Sequence, residues 1–165
     1  KAGDMVKITG VIYTARDAAH KRMLENLHKG IALPVDLKDQ TIYFAGPAPA
    51  KPNEPIGSVG PTTSYRMDAY SPETIELGLT CMIGKGARSK EVVDAMKKYG
   101  AVYIGAVGGA GALISQCVKK CEVVDYADLG SEAIHRLEVV DFPGIVIIDS
   151  EGNNLYETEP PKYKK

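Results

Sequence analysis

Apolar and polar residues alternate along Asp4–Tyr13, and this period of two predicts a β-strand. The pattern then takes a helical period over residues 15–27, with apolar positions on one face at Ala18, Ala19, Met23 and Leu27. Thr14 stands where an N-cap is expected, and Gly30 stands where the helix should end. The chain is therefore predicted to open with a strand and a helix that packs one face against a core.

Short apolar stretches farther along predict more strands, at Thr41–Ala45, Thr80–Ile83, Ala101–Ala106, Glu122–Val124, Leu137–Val140 and Ile145–Ile148. Helices are predicted between them. One begins with Ser71 as cap and Pro72 at the first helical position, one runs from 90 to 99 between a Ser89 cap and Gly100, and one follows Gly111 through Val118. Near the end, 151–152 predicts a hairpin turn into residues 155–156, and the tail from 160 is expected to fray.

The segment Gly46–Pro61 contains five prolines and three glycines, which disfavour regular structure and predict a long loop. No internal repeat or second domain is visible in the pattern. Strands and helices alternate irregularly, so the sequence predicts one α/β domain over residues 1–165, with a mixed central sheet flanked by helices.

Composition narrows the possible partners. The net charge of the 165 residues is −1, so no general basic field attracts nucleic acid or an anionic membrane. No apolar run reaches the roughly 20 residues of a membrane span, and no signal peptide is expected. Three cysteines without the spacing of a secreted scaffold favour a reducing compartment. The predicted location is the cytoplasm, with no nucleic-acid or membrane partner.

Three local groups of residues suggest anion binding. Arg16 lies at the start of the first helix, where a cation gains nothing from the helix dipole but can bind an anion together with free N–H groups. Thr62-Thr63-Ser64 and Arg66 combine hydroxyls, turn amides and a guanidinium. Lys85 lies between two glycines after a strand, where a ligand can approach the backbone. The alternatives are a surface ion pair, a capped turn and a solvated loop lysine.

Other residues favour structural roles. The glycines at 105, 108, 109 and 111 lack the G-x-G-x-x-G spacing of a dinucleotide site, so tight helix–strand packing is predicted. Three thiolates could hold an iron–sulfur cluster, but Cys81 lies in an apolar strand, and Cys117 and Cys121 lack glycine or proline context. We therefore predict buried, packing cysteines and no metal ligand in this chain. The histidines at 20, 28 and 135 lack metal-ligand spacing and are predicted to have surface or packing roles.

Taken together, the motifs resemble the class I (iron–sulfur) fumarate hydratases, and the same series runs through the β subunits of L-tartrate dehydratase. The motifs that carry the resemblance are Thr14–Lys21, Leu33-Pro34, Gly60–Asp68, Ile83–Gly86, Gly105–Gly111 and Asp141–Asp149. They cover nearly the whole chain, and the block Thr-Thr-Ser-x-Arg-Met-Asp is the most specific. The resemblance implies the β subunit, or C-terminal domain, of such an enzyme, folded as a swivelling β/β/α domain that closes over a partner.

The resemblance also implies roles. Arg16, Arg66, Lys85 and Thr63 are expected to bind the substrate's carboxylates, and Thr62 and Lys85 to be catalytic, with Thr62 the candidate base. The expected cofactor is a [4Fe–4S] cluster held by a separate α subunit, in an α2β2 assembly. The expected activity is that of a hydro-lyase, the reversible hydration of fumarate to (S)-malate, which needs that partner. Two alternatives stay open, an L(+)-tartrate dehydratase β subunit and a non-catalytic module that binds a small dicarboxylate.

Overall fold

The computed structural model of the protein describes residues 1–106 and 111–163. The described strands form one mixed sheet and are β1 Met5–Thr14, β2 Thr41–Tyr43, β3 Cys81–Gly84, β4 Val102–Gly105, β5 Val118–Asp125 and β6 Ile134–Ile148. β1 to β4 are parallel neighbours, and β6 runs antiparallel to β4. β6 also pairs with β1, so β1, β2, β3, β4 and β6 close into a barrel. β5 pairs with β6 along the edge that does not face β1. The predicted α/β class with a mixed sheet is confirmed.

Helices lie between these strands and after the last of them. They are α1 Asp17–His28, α2 Ser71–Glu76, α3 Lys90–Tyr99, α4 Gly111–Ser115, α5 Leu155–Thr158 and α6 Pro160–Tyr163, with 3₁₀ turns at Ser64–Met67 and Ala127–Glu132. Residues 46–61 contain neither helix nor strand, as their prolines predict. No helix in the described ranges has the length and apolar character needed to cross a bilayer.

Alternation along the strands sends side chains to two separate cores. In the segment after α1, Ile42 and Phe44 join the core shared with α1, α2 and α3, whereas Tyr43 and Ala45 point to the opposite side. The second core is completed by residues of β6 and of the 46–61 loop, including Phe142, whose ring meets that of Tyr43 edge-on. Both faces of the central strands are therefore buried, which explains their continuous apolar runs.

Two predicted caps are wrong, and in each case a tertiary contact takes the side chain. Thr14 is the last residue of β1 and its hydroxyl hydrogen-bonds His135 Nδ1 at 3.2 Å, so α1 begins at Asp17 with Arg16 as N-cap. Ser71 is the first residue of α2 rather than its cap, and its hydroxyl donates to the Met67 carbonyl at 2.9 Å. The third predicted cap is confirmed, since the N–H of Val92 donates to the Ser89 hydroxyl.

The second half of the chain differs from the prediction in four places. Leu137–Val140 and Ile145–Ile148 are parts of one strand, β6, because the break between them is only a bulge at Asp141, where φ is 53°. The helix predicted through Val118 ends at Ser115, since Val118 already pairs with β6.

The predicted hairpin strand at 155–156 is instead the start of α5. Asn154 caps this helix by accepting the N–H of Tyr156 at 3.0 Å, and a capped turn competes with strand pairing. The tail that was expected to fray is helical over Pro160–Tyr163.

Candidate functional site

Three chain segments that carry the predicted anion-binding residues meet at one edge of the sheet. β1, β2 and β3 are parallel neighbours, so their carboxyl ends lie side by side. Arg16 follows the end of β1 by two residues, and Lys85 directly follows β3. Between them, the N–H of Thr62 donates to the carbonyl of Phe44, the residue after β2, at 2.7 Å. The carboxyl ends of β1, β2 and β3 form what is called here the carboxyl edge of β1–β3. Both open and barrel-forming parallel sheets of α/β proteins place ligand sites at the carboxyl ends of their strands.

Thr62-Thr63 and Lys85 are joined through the backbone. Thr63 forms a parallel bridge with Lys85, and the N–H of Ser64 donates to the Lys85 carbonyl at 2.8 Å. A side chain at Gly84 has no room, because its Cβ would collide with the Ser64 hydroxyl. The hydroxyl-rich segment and the lysine loop therefore form one unit. Their separate positions along the chain gave no sign of this contact.

Arg16 and Arg66 each have a carboxylate nearby, but neither pair is at hydrogen-bond distance. Arg16 Nε lies 3.8 Å from Glu132 Oε1, and Arg66 Nη1 lies 3.6 Å from Asp17 Oδ2. The Arg16 Nε and Asp17 Oδ1 atoms are buried and have no hydrogen-bond partner among the described residues. Both guanidiniums are partly exposed, with 27% and 49% of the side chains accessible. Loose pairing of this kind leaves donors available for a bound anion.

The start of α1 adds backbone donors to the same place. Its N-cap, Arg16, makes no side-chain capping bond, so the first N–H groups of this 12-residue helix are not capped by a side chain. Gly46 lets the Arg16 side chain lie against the loop, because a Cβ at position 46 would come within 3.1 Å of Arg16 Cδ. Positive side chains and helix N–H groups together suit a carboxylate or phosphate.

A buried arginine, Arg88, supports the loops of this edge, although no sequence pattern marked it as a functional residue. Its Nε donates to Asp68 Oδ1 at 2.8 Å and its Nη2 to the Ser71 hydroxyl at 2.6 Å. The guanidinium also lies about 5 Å from the rings of Phe44 and Tyr103. Burial lowers the pKa of Arg88, while the Asp68 carboxylate opposes that change and keeps the pair ionic. Arg88 thus ties the segment that follows Lys85 to the end of the Thr-Thr-Ser-x-Arg-Met-Asp block.

His20 is a second buried group at this edge, and it fits the predicted packing role. Its Nδ1–H donates to the Arg16 carbonyl at 2.8 Å, while its ring stacks on Tyr70 and meets Phe44 edge-on. The Nε2 atom has no partner among the described residues. Burial, chiefly by desolvation, lowers the pKa of His20 to about 4, so the ring is neutral at pH 7.

The low pKa of His20 predicts acid sensitivity. Between about pH 6.5 and 4 the unfolded chain binds a proton at this ring that the folded chain does not, so stability falls as the pH falls through this range. The contribution lost is about 3 kcal/mol. His20→Asn keeps a donor for the Arg16 carbonyl but cannot titrate, so thermal melts should show a weaker pH dependence there.

His135 is the matched comparison, because burial lowers its pKa as well but the ring is only half-buried. His135→Asn should flatten the same dependence less than His20→Asn does. An unchanged slope in the His20 variant would show that another group causes the acid sensitivity.

The cysteines do not fit an iron–sulfur cluster. All three are partly buried and pack against the second core. Burial raises the pKa of the Cys81 thiol to about 11, whereas a cluster ligand must be a thiolate. Within residues 1–106 and 111–163, no group of three or more His, Cys, Asp or Glu side chains is arranged to hold a metal ion.

The glycine cluster serves packing where the structure describes it. A Cβ at Gly105 would lie 2.8 Å from Ile147 Cγ1, and one at Gly111 would collide with the Ser58 hydroxyl. Both glycines allow close packing, but the contact is between two strands at Gly105 and between α4 and the 46–61 loop at Gly111, rather than the predicted helix–strand packing. Positions 108 and 109 lie outside the described residues.

Arg16, Thr62, Arg66 and Lys85 do not line the three main clefts formed by the described residues. The largest of these clefts, of about 730 Å³, lies between the 46–61 loop and α4. These four residues lie instead on the open carboxyl edge of β1–β3.

Comparison with known proteins relates the chain that carries these residues to a family. A family model described as "Fumarase C-terminus" matches residues 1–159. The chain is 43% identical over 158 residues to "Fumarate hydratase 1, mitochondrial" of Leishmania major. The aligned region covers 92% of this chain and 28% of that protein. It is 41% identical over 154 residues to "Fumarate hydratase class I, aerobic" of Escherichia coli strain K12, with the same 92% and 28% coverage.

A shorter relative matches along most of its length. "Putative L(+)-tartrate dehydratase subunit beta" of Methanocaldococcus jannaschii is 44% identical over 163 residues, which is 95% of this chain and 84% of that protein. The chain thus spans little more than a quarter of the fumarate hydratases that it matches, but most of this subunit.

Proposed function

The chain belongs to the fumarase C-terminus family, and from this premise we propose that it is the β subunit, or C-terminal domain, of a class I fumarate hydratase. In this proposal it supplies the groups that bind a dicarboxylate to an active site shared with a cluster-bearing α partner. The observation that carries the proposal is the convergence of Arg16, Arg66, Lys85 and Thr62 at the carboxyl edge of β1–β3. All four come from motifs on which the family resemblance depends.

The cations in this set form the carboxylate clamp, defined as Arg16, Arg66 and Lys85. Fumarate and malate carry two carboxylates, and the clamp offers two planar guanidiniums and one ammonium. Dehydration of malate removes a proton beside one carboxylate, so negative charge grows on that group in the transition state. Cations held where this charge appears stabilise the transition state more than the ground state, and so they accelerate the reaction. Thr63 contributes a hydroxyl to the same bound carboxylate.

Thr62 is proposed to move the proton. A hydroxyl is a weak base at neutral pH and needs a neighbour that accepts its proton or lowers its pKa. Lys85 is the neighbour supported by the backbone pairing of Thr63 with Lys85. We therefore propose Thr62 and Lys85 as the catalytic residues of this chain.

The proposal assigns the [4Fe–4S] cluster to the α partner, because the three cysteines are not brought together as a metal-binding group among the described residues. The clamp lies on an open edge rather than in one of the three main clefts of the described residues, as expected of half a site that a partner completes. The proposal further includes a single swivelling β/β/α domain over residues 1–165, an α2β2 assembly, cytoplasmic location, and no nucleic-acid or membrane partner.

A second candidate function is that of an L(+)-tartrate dehydratase β subunit. It is favoured by the 44% identity over 163 residues to the Methanocaldococcus jannaschii protein. Tartrate carries one more hydroxyl than malate, so the same clamp suits both substrates.

Anaerobic co-expression with the α partner and a substrate panel test these functions. We expect the purified complex to interconvert fumarate and malate, and the chain alone to be colourless and inactive. Turnover of L(+)-tartrate without turnover of fumarate would establish the second function instead. Binding of dicarboxylates by the chain without any α partner would identify a binding module.

The neighbouring threonines provide an internal control for the catalytic role of Thr62. Thr62→Val should lower kcat of the complex by about ten- to a hundredfold and change KM little, because it removes the hydroxyl but keeps the side-chain volume. Thr62→Ser should retain part of the activity. Thr63→Val should act mainly on KM or stability. The measurement is steady-state kinetics, together with exchange of the transferred hydrogen with deuterated solvent.

A Thr62→Val complex that exchanges this hydrogen at the wild-type rate would assign the base to another group. Thr62 would then serve only as a hydrogen-bond donor to the bound carboxylate.

A further inference from the structure

Gly86, the residue after Lys85, has both of its backbone polar groups bonded to tyrosine hydroxyls. The Tyr103 hydroxyl donates to the Gly86 carbonyl at 2.9 Å, and the Gly86 N–H donates to the Tyr156 hydroxyl at 3.1 Å. Tyr103 lies in β4, and Tyr156 lies in α5 near the end of the chain. Two distant parts of the fold therefore hold the backbone beside Lys85.

The Tyr103 contact belongs to a ring of three hydrogen bonds that the backbone between Lys85 and Gly86 closes. Because the phenolic proton of Tyr103 goes to the Gly86 carbonyl, the Ser64 hydroxyl is the donor in the 2.7 Å bond between Ser64 and Tyr103. The Ser64 N–H in turn donates to the Lys85 carbonyl. Tyr103 is fully buried, and burial is the main cause that raises its pKa to about 12, so the proton stays in place at pH 7.

These bonds matter because Lys85 stands between two glycines. Glycine has the widest backbone freedom of any residue, and Gly86 uses it, with φ at 88°. A loop of this composition does not fix its own conformation, so contacts from outside the loop must do so. The direction of the Lys85 side chain consequently depends on the two hydroxyls.

Tyr156 allows the positioning effect to be separated from stability. Its side chain is 43% exposed, so loss of its hydroxyl should change the stability of the domain little. Tyr103 is buried, and removal of its hydroxyl would leave both Ser64 and Gly86 without a partner in the ring.

We infer that the hydroxyls of Tyr103 and Tyr156 are positioning groups, which hold the Lys85 loop so that the ammonium meets the substrate carboxylate. The inference rests on the proposed function, in which Lys85 binds the substrate. Neither tyrosine is required to touch the substrate. Helix α5 thereby takes part in the site through the hydrogen bond between Tyr156 and Gly86.

The test is Tyr156→Phe in the complex of this chain with its α partner. We expect kcat/KM to fall by about three- to tenfold, which is the loss of one hydrogen bond, with Tm unchanged. Amide exchange at Gly86 should become faster. Tyr99→Phe is the matched control, because Tyr99 is exposed to nearly the same degree, 42%, but lies at the end of α3. It should leave both quantities unchanged.

A double-mutant cycle with Lys85→Ala shows whether Tyr156 acts through Lys85. If it does, Tyr156→Phe should have no further effect on kcat/KM in the Lys85→Ala background. An equal effect in both backgrounds would overturn the inference, because the hydroxyl would then act by another route.

The same cycle separates the two possible failures. Wild-type kinetics of Tyr156→Phe beside an impaired Lys85→Ala enzyme would overturn the inference and leave the proposed function intact. Wild-type kinetics of Lys85→Ala itself would overturn the inference together with the proposed roles of Lys85.

Discussion

Lys85→Ala is expected to lower kcat/KM of the proposed complex by about a hundredfold or more, since removing one partner of a desolvated charge pair costs about 3 kcal/mol. Arg16→Ala and Arg66→Ala should each cost as much. The reason is that each cation of the carboxylate clamp is proposed to pair with a substrate carboxylate, and those beside the carboxylate on which negative charge grows also stabilise the transition state. Steady-state kinetics of the three reconstituted variants provide the measurement.

Conservative changes and a distant lysine control this experiment. Arg16→Lys and Arg66→Lys keep the charge but lose the bidentate geometry, so they should also impair the enzyme. Lys90→Ala removes a cation from the exposed start of α3, where the side chain is 87% accessible, and should leave kinetics unchanged. The variants should remain folded, because among the described residues the clamp makes no ion pair closer than 3.6 Å. Near-normal kinetics in two of the three alanine variants would contradict the clamp.

Local sequence signals predicted those parts of the fold that depend on neighbouring residues. The helix over 90–99 needed only its Ser89 cap and Gly100, which takes the left-handed conformation that glycine accepts most readily. Thr14 failed as a cap because β1 continues through it, pairing with Tyr43 on one side and His135 on the other. Closure of the barrel by β1 and β6 joins residues more than a hundred positions apart, and no local pattern encodes it.

The candidate site likewise contains some residues that sequence signals could mark and others that they could not. A helix start, a hydroxyl-rich turn and a strand end marked Arg16, Arg66 and Lys85, respectively, as anion-binding candidates. The order of the parallel strands explains why their chain segments converge. The supporting residues had no such signal. Arg88 and Tyr103 are recognisable only from what they contact, since a buried arginine and a strand tyrosine look ordinary in sequence. Their importance follows from tertiary structure alone.

The buried ion pair of Arg88 and Asp68 should have the largest effect on stability. The Arg88 side chain is fully buried and that of Asp68 is 17% exposed, so removal of the arginine leaves a poorly solvated carboxylate. Arg88→Met should destabilise the domain by about 3–5 kcal/mol, which is the cost of breaking a buried pair from one side. For a domain of this size the expected fall in Tm is about 6–20 °C. Thermal unfolding of the full chain, followed by circular dichroism, measures this change.

Arg22 offers a matched arginine on the surface. It forms a bidentate pair with Asp128, at 2.7 and 2.8 Å, and lies over the ring of Tyr126, so its contacts resemble those of Arg88. The difference is solvent, because water screens the exposed pair and solvates the carboxylate that remains after substitution. Arg22→Met should therefore lower Tm far less than Arg88→Met. Equal changes in Tm would mean that the Arg88 pair contributes no more than a surface contact, and that other interactions hold the Lys85 loop beside the Thr-Thr-Ser-x-Arg-Met-Asp block.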